Sequence, residues 1–423
     1  MTPLSPGSKG WIKKYFDLVN KGLIRLRGDV PENVDRSAFI HAALGRTGIT
    51  FGFPSRLLFA KKIDDNTWTT EEKLKVLLFE SHLMVFRSNQ TEELNNDAFI
   101  KALIDFYGHH SSGSISRLFT FFRKESHEEQ LETIFTKRVD IKSNYLENSF
   151  WVNYFNNVLI YLDVILFHEF LQYRKKSTFY NYDELAMNAL TAIILAAYSD
   201  GEVEKKEKDM FSVFLASANL SDLHRDIMEE RFETGSDLGD FTDCLQNNWI
   251  FRRYLLDLST FVIVSNHDAA TGEKEHLKML CAHFDLEEKE LNRSMALTEQ
   301  FILNNSDKIQ FLGESSSIER VYGSLSKRWV KVLGRNRDKL VTEIQQSREL
   351  VALIRKSTKQ ELTKEEKEAV KSQFMDIVKS MPSLAIFLLP GGTFLLPIIL
   401  KIVPDLMPSS FRENEIEKTD QSS

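Results

Sequence analysis

LTAIILAAYSDGEVEKKEKDMFSVFLASANLS, residues 190–221, opens with an apolar helical segment, turns at Ser199-Asp200-Gly201, and continues as an amphipathic helix. LSTFVIVSNHDAATGEKEHLKMLCAHFDLE, residues 258–287, repeats that plan. Asp200 answers to Asp268 and Glu207 to Glu275, both at an offset of 68. In each copy the Asp sits where an N-cap or turn residue belongs, and the Glu follows about two helical turns later. A duplicated pair of helices therefore stands at the centre of the chain and sets the expectation for the whole.

The composition extends that expectation. Hydrophobic residues are 42% and charged residues 27%, a globular balance, and 423 residues suffice for two or three domains. Gly (18) and Pro (9) are scarce while Phe (31) is abundant, so few turns interrupt long apolar-periodic segments and the predicted fold class is all-α. The two cysteines, Cys244 and Cys281, lie within helical patterns and in no Cys-x-x-Cys spacing, which points to a reducing compartment. Lys9, Lys13 and Lys14 are followed by no apolar core, so the N-terminus does not read as a secretory signal.

Residues 1–180 read as an N-terminal helical region. Its interruption GRTGITFGFPSRL, residues 45–57, matches neither a Walker loop nor a dinucleotide fingerprint and reads as a tight loop or short strand. NSFWVNYFNNVLIYLDVILFHEFLQY, residues 148–173, is very apolar but carries Asn153, Asn156, Asn157, Asp163, His168 and Glu169, too many polar groups to face lipid. It reads as a buried helix. His168 lacks a second histidine four residues on and reads as a hydrogen-bonded core residue.

The central repeat, residues 181–305, resembles the TerB-like (tellurite resistance) family, whose helical domains carry an Asp-Gly turn and a Glu in the next helix. Asp200-Gly201 and Glu207 match that pattern; in the second copy Ala269 replaces the glycine. The resemblance implies a shared acidic cluster at Asp200, Glu207, Asp268 and Glu275, suspected of holding a metal ion. Four carboxylates could bind Ca²⁺ or Mg²⁺ through oxygen. They could equally cap their own helices and favour the positive end of the macrodipole. Capping is the commoner use of such acids, and no His or Cys joins the set. No cofactor is certain.

The C-terminal third changes character. From residue 320 to 360 there are eleven Lys/Arg against three acids, +8 in a chain whose net charge is −7, which leaves −15 elsewhere. KRWVKVLGRNRDK concentrates Lys327, Arg328, Lys331, Arg335, Arg337 and Lys339 around Trp329. Such a cluster neutralises phosphates, and a Trp stacks on a base or settles among headgroups; the alternative is a solvated helix face. Leu340, Ile344, Ser347, Val351 and Ile354 fall on one helical stripe. Thr363 and Glu366 form a capping box for a helix that places Val370, Phe374, Ile377, Val378 and Met381 on one face. Residues 381–400 carry no charge, yet Pro390-Gly391-Gly392 stands at their midpoint, and a Pro costs a helix interior about 3 kcal/mol. Short broken helices fit this run better than a plain membrane span.

LLPGGTFLLPIILKIVPDLMPSSF, preceded by ELTKEEKEAVKSQFMDIVKSMP, resembles the C-terminal domain of LETM-type (leucine zipper, EF-hand, transmembrane) proteins. Pro390, Gly391, Gly392, Pro397, Lys401, Pro404, Pro408, Ser409 and Phe411 stand at the positions of that signature. The resemblance implies a ribosome-binding-like domain, here assigned to residues 306–412 and followed by an acidic, disordered tail at 413–423. Organellar members of the family reside in the inner mitochondrial membrane and are linked to cation/proton exchange. Bacterial chains that join this domain to a TerB-like one form a LETM-related, biofilm-associated group. In this chain a TerB-like repeat stands where the mitochondrial members have a transmembrane helix, and no EF-hand loop is present.

These readings predict a cytoplasmic, non-enzymatic interaction protein, peripheral to or inserted in the inner membrane. The C-terminal domain would dock on the ribosome or an anionic membrane surface, the TerB-like module would sense an ion or bind another protein, and no specific DNA binding is expected. The alternative is a membrane-inserted component of cation/proton homeostasis. A metal-dependent hydrolase built on the four acids is the weakest class, since no nucleophile–base pair or phosphate loop accompanies them.

Overall fold

The computed structural model describes residues 4–26, 30, 34–89, 94–110, 125–140, 157–173, 182–201, 203, 205–242, 248–266, 271–305, 308–309, 337–357, 360–379 and 399. These residues form fifteen α-helices and no strand, the expected all-α class. The chain divides into two compact units, the first comprising residues 1–301 and 308–310, the second residues 302–307 and 311–423.

In the first unit the helices are α1 (Trp11–Asn20), α2 (Arg36–Gly45), α3 (Thr70–Ser88), α4 (Asn96–His110), α5 (His127–Val139), α6 (Tyr161–Tyr173), α7 (Tyr182–Ala197), α8 (Lys205–Ala218), α9 (Asp222–Thr234), α10 (Trp249–Asn266), α11 (Thr271–His283) and α12 (Glu288–Asn305). Several starts are written locally. Thr69 with Glu72 caps α3 and Ser126 with Glu129 caps α5, each as a reciprocal capping box, while the Asp35 side chain accepts from the Ala38 amide to begin α2. By contrast, α1 starts at Gly10 without a side-chain cap of its own. Glu132 of α5 supplies one: its two oxygens accept from the Gly10 amide at 2.8 Å and the Ile12 amide at 2.9 Å.

Helices α3 and α7 lie buried along most of their length. Helix α3 packs on α6, α5 and α2; α7 packs on α10, α8 and α9. The first and second halves of this unit share a core, so the expected boundary at 180/181 falls inside it. Tyr161 of α6 meets Tyr254 of α10 edge-on at 5.1 Å, and His41 of α2 reaches Asp257 of α10.

The Gly-rich interruption at 45–57 is a buried loop around one 3₁₀ turn, Ile49–Phe51. Phe51 stacks on Phe261 at 4.9 Å and lies 4.7 Å from Phe301. Gly52 is required twice over. Its φ is +64°, and a Cβ there would stand 2.4 Å from the Val158 Cα.

In the second unit the described helices are α13 (Arg337–Gln346), α14 (Arg348–Ser357) and α15 (Lys364–Lys379). Among its described residues from 337 onward, Leu340, Ile344, Leu350, Ile354, Leu362, Val370, Phe374 and Ile399 are the buried apolar ones. The stripe expected to run from Leu340 to Ile354 is broken at Ser347, whose hydroxyl accepts from the Leu350 amide at 3.3 Å and donates to Gln373 at 2.8 Å. A serine that bonds the backbone ahead of it starts a new helix instead of continuing the old one. The Thr363–Glu366 capping box forms as expected, with bonds of 3.1 and 3.3 Å. Lys356 then ties the end of α14 to Glu366 at 2.5 Å.

Candidate functional site

The first unit contains three buried polar clusters. Asp257 is fully buried and receives His41 Nε2 at 2.8 Å, the Ser294 hydroxyl at 2.6 Å and the Arg253 guanidinium. Arg253 also reaches Glu290 at 3.2 Å, and Glu290 takes Arg293 at 2.5 Å. Burial alone would raise Asp257, but Arg253 and His41 hold its carboxyl below the usual range. Burial lowers His41, so its neutral ring donates from Nε2 and leaves Nδ1 to accept from Tyr161 at 3.2 Å. A serine, a histidine and an aspartate thus meet, but the serine bonds the carboxylate and not the imidazole. Its hydroxyl faces the Asp257 carboxylate, and the arrangement ties α2, α10 and α12 together.

The second cluster joins α5 to α6. Arg138 grips Asp163 with two bonds, at 2.7 and 2.5 Å, the Tyr107 hydroxyl adds a third at 3.1 Å, and the guanidinium lies 4.8 Å above the Tyr182 ring. In the third, Glu80 is fully buried and accepts from the Tyr15 hydroxyl and from the amides of Leu58, Phe59 and Ala60. Burial raises its carboxyl despite those four donors. His168, expected to be a hydrogen-bonded core residue of a buried helix, is buried on α6, pushed down to about 4, and bonded to Gln172 at 3.2 Å.

The acidic repeat residues separate in their surroundings. Asp200 is an exposed turn residue, five positions before α8 begins, with Gly201 beside it at φ +91°. Glu207, third in α8, is buried. The third residue of α11 is Glu273, equally buried, whereas Glu275 is exposed and paired with Lys278 at 2.7 Å. By burial, Glu273 and not Glu275 is the counterpart of Glu207, because the second copy reaches its helix two residues sooner. Asp268 lies outside the described residues. Among those residues no group of three or more His, Cys, Asp and Glu is arranged to hold a metal ion.

Of the anion-contact residues, Lys327, Arg328, Trp329, Lys331 and Arg335 lie outside the described residues, as do Pro390, Gly391, Gly392, Pro397, Lys401, Pro404, Pro408, Ser409 and Phe411. Arg337 opens α13, and Lys339 is exposed on it. The structure adds Arg348 and Arg355, both exposed on α14 while Leu350 and Ile354 face inward. Their charge was legible in the +8 segment, but their outward placement depends on the break at Ser347. Among the described side chains of α15, the exposed charges are instead Glu365, Glu368 and Asp376. No described helix is long and apolar enough to cross a membrane.

Against known families, the profile described as "LETM1-like, RBD" matches residues 362–423. The match begins at the buried Leu362, just before the Thr363 cap, and runs through α15 into the Pro-rich segment. No curated protein matches the chain, and no solved structure matches it. The C-terminal segment is therefore similar to a LETM1-like RBD, attached to a helical body that these comparisons leave without a relative.

Proposed function

We propose that this chain is a non-enzymatic interaction protein whose C-terminal unit docks on the ribosome. The observation that carries this reading is the LETM1-like RBD match over residues 362–423. The +8 segment at 320–360 supports it, with Lys339, Arg348 and Arg355 exposed on the two helices immediately upstream of the match. Cationic side chains neutralise RNA phosphates and release counterions, which makes such docking salt-sensitive. The first unit, with its TerB-like duplicated helices, is the body that binds a protein or senses an ion, and the chain acts in the cytoplasm or at a membrane surface.

The test is co-sedimentation of the full chain with ribosomes at low and high salt, beside fractionation of membranes washed with alkaline carbonate. Salt-released association with ribosomes is expected, and Lys327→Glu with Arg328→Glu and Lys331→Glu should abolish it. Retention in carbonate-washed membranes, without ribosome association, would replace docking with insertion of residues 381–400 and a role in cation/proton homeostasis.

A further inference from the structure

The Arg56 side chain returns to the Arg46 backbone where α2 ends. Arg46 is the residue that closes the helix. The chain then makes the tight glycine loop and returns, so that the Ser55 and Arg56 amides both donate to the Thr47 carbonyl, at 2.9 and 3.4 Å. Arg56 Nε donates to the Arg46 carbonyl at 2.9 Å. The loop between them is rigid by construction. Gly48 and Gly52 hold φ of +86° and +64°, and a Cβ on Gly48 would stand 2.2 Å from the Phe53 carbonyl oxygen. The two arginines are consequently carried on backbone that is held in place.

Among the described residues neither arginine has a carboxylate partner, and Arg46 Nε is buried with no hydrogen-bond acceptor. That is an unusual state for a guanidinium, whose buried donors are nearly always satisfied. Burial and the neighbouring Arg56 charge together push Arg46 down to about 10. The carbonyl end of α2 offsets part of this positive charge, accepting from Arg56 Nε as well as from Thr47 and Gly48. The buried arginines described in this unit, Arg138 and Arg253, have acids against them.

We infer that the Arg46–Arg56 pair is a binding site for a small phosphate-bearing anion. Planar forks on two neighbouring arginines can share the oxygens of one phosphate, with charge-assisted bonds to each. A dianion fits better than a carboxylate because it balances both cations. The site lies on the first unit and uses none of the residues proposed to dock on the ribosome, so either reading can fail without the other.

The experiment is isothermal titration of the full chain with inorganic phosphate and, separately, with phenyl phosphate, at ionic strength held constant with sodium chloride. One saturable site per chain is expected, with dissociation constants below about 1 mM. Arg46→Gln and Arg56→Gln should each weaken it about tenfold or more, and Arg56→Lys should weaken it too because the fork is lost. Lys13→Gln, an exposed lysine on α1, should leave it unchanged. Arg56 is exposed, so its variants test the site even where Arg46→Gln does not fold. Binding of both probes identifies a phosphate monoester as the ligand class; binding of inorganic phosphate alone identifies the free ion. Absence of saturable heat at about 10 mM of either probe overturns the inference. So does binding that survives both glutamine variants, or that is lost instead in Lys327→Gln with Arg328→Gln.

Discussion

Removing the carboxylate at Asp163 should destabilise the first unit severely. The side chains of Arg138 and Asp163 are only 8% and 4% exposed, so solvent does not screen their attraction. Asp163 accepts two bonds from the guanidinium and one from Tyr107. Hydrogen bonds to charged groups are worth about 1.5–3 kcal/mol each and a neutral one about 1 kcal/mol. The Tyr182 ring beneath Arg138 would retain about 0.5–2 kcal/mol of that as a cation–π contact. A net loss of about 3–5 kcal/mol follows for Asp163→Ala, in line with other buried pairs stripped of one partner. Asp163→Asn, which keeps the shape but not the charge, should lose most of it. The double variant Arg138→Met with Asp163→Leu should return to within about 2 kcal/mol of wild type, because it leaves no uncompensated charge. Urea unfolding followed by circular dichroism reads these as shifts in midpoint at constant slope. A loss under about 1 kcal/mol for Asp163→Asn, or a double variant no better than the single one, would refute the claim that this pair is desolvated and mutually required.

Glu169 sets a pH dependence. Burial raises its carboxyl from 4.5 to about 7, so the folded chain keeps a proton that the unfolded chain releases near 4.5. Its contribution is complete below that lower value and lost as pH rises through about 7; Glu169→Gln should thus gain about 3 kcal/mol over wild type at pH 8, relative to pH 4. Melting curves across that range check this, and a difference that does not vary with pH would rule it out. Gly52→Ala should cost about 3 kcal/mol or more, since its Cβ meets backbone that cannot yield, whereas Gly22→Ala, also at positive φ but with open space around it, should cost about 1 kcal/mol. Thermal denaturation of the two variants side by side makes the comparison. Thr363→Ala removes the capping box of α15 and should cost the second unit about 1 kcal/mol, read from its own unfolding transition.

The features legible in the sequence are those whose causes are local. Helical class followed from apolar periodicity and scarce glycine and proline. The Thr363–Glu366 cap was readable because its two partners are three residues apart. Helices α7, α8, α10 and α11 stand where the repeat was read, although the buried acid that answers Glu207 is Glu273 and not Glu275, because burial depends on where the second helix begins and not on a constant offset. Of the residues expected to dock, the sequence shows charge and motif; Lys339 is exposed on α13, and Arg348 and Arg355 face outward on α14, which starts after Ser347 with Leu350 and Ile354 inward.

What only the tertiary structure decided is where the buried charges find each other. Glu132 caps a helix 120 residues before it, Asp257 meets His41 across 216 residues, and Glu80 holds a loop that precedes its own helix. The same holds for Arg46 and Arg56, which are ordinary arginines in the sequence and become an unbalanced pair only when two glycines fold the loop between them. Local propensity specifies helices over a few residues. The cost of burying a charge is settled by whichever partner the fold brings near, and no short stretch of sequence contains that partner.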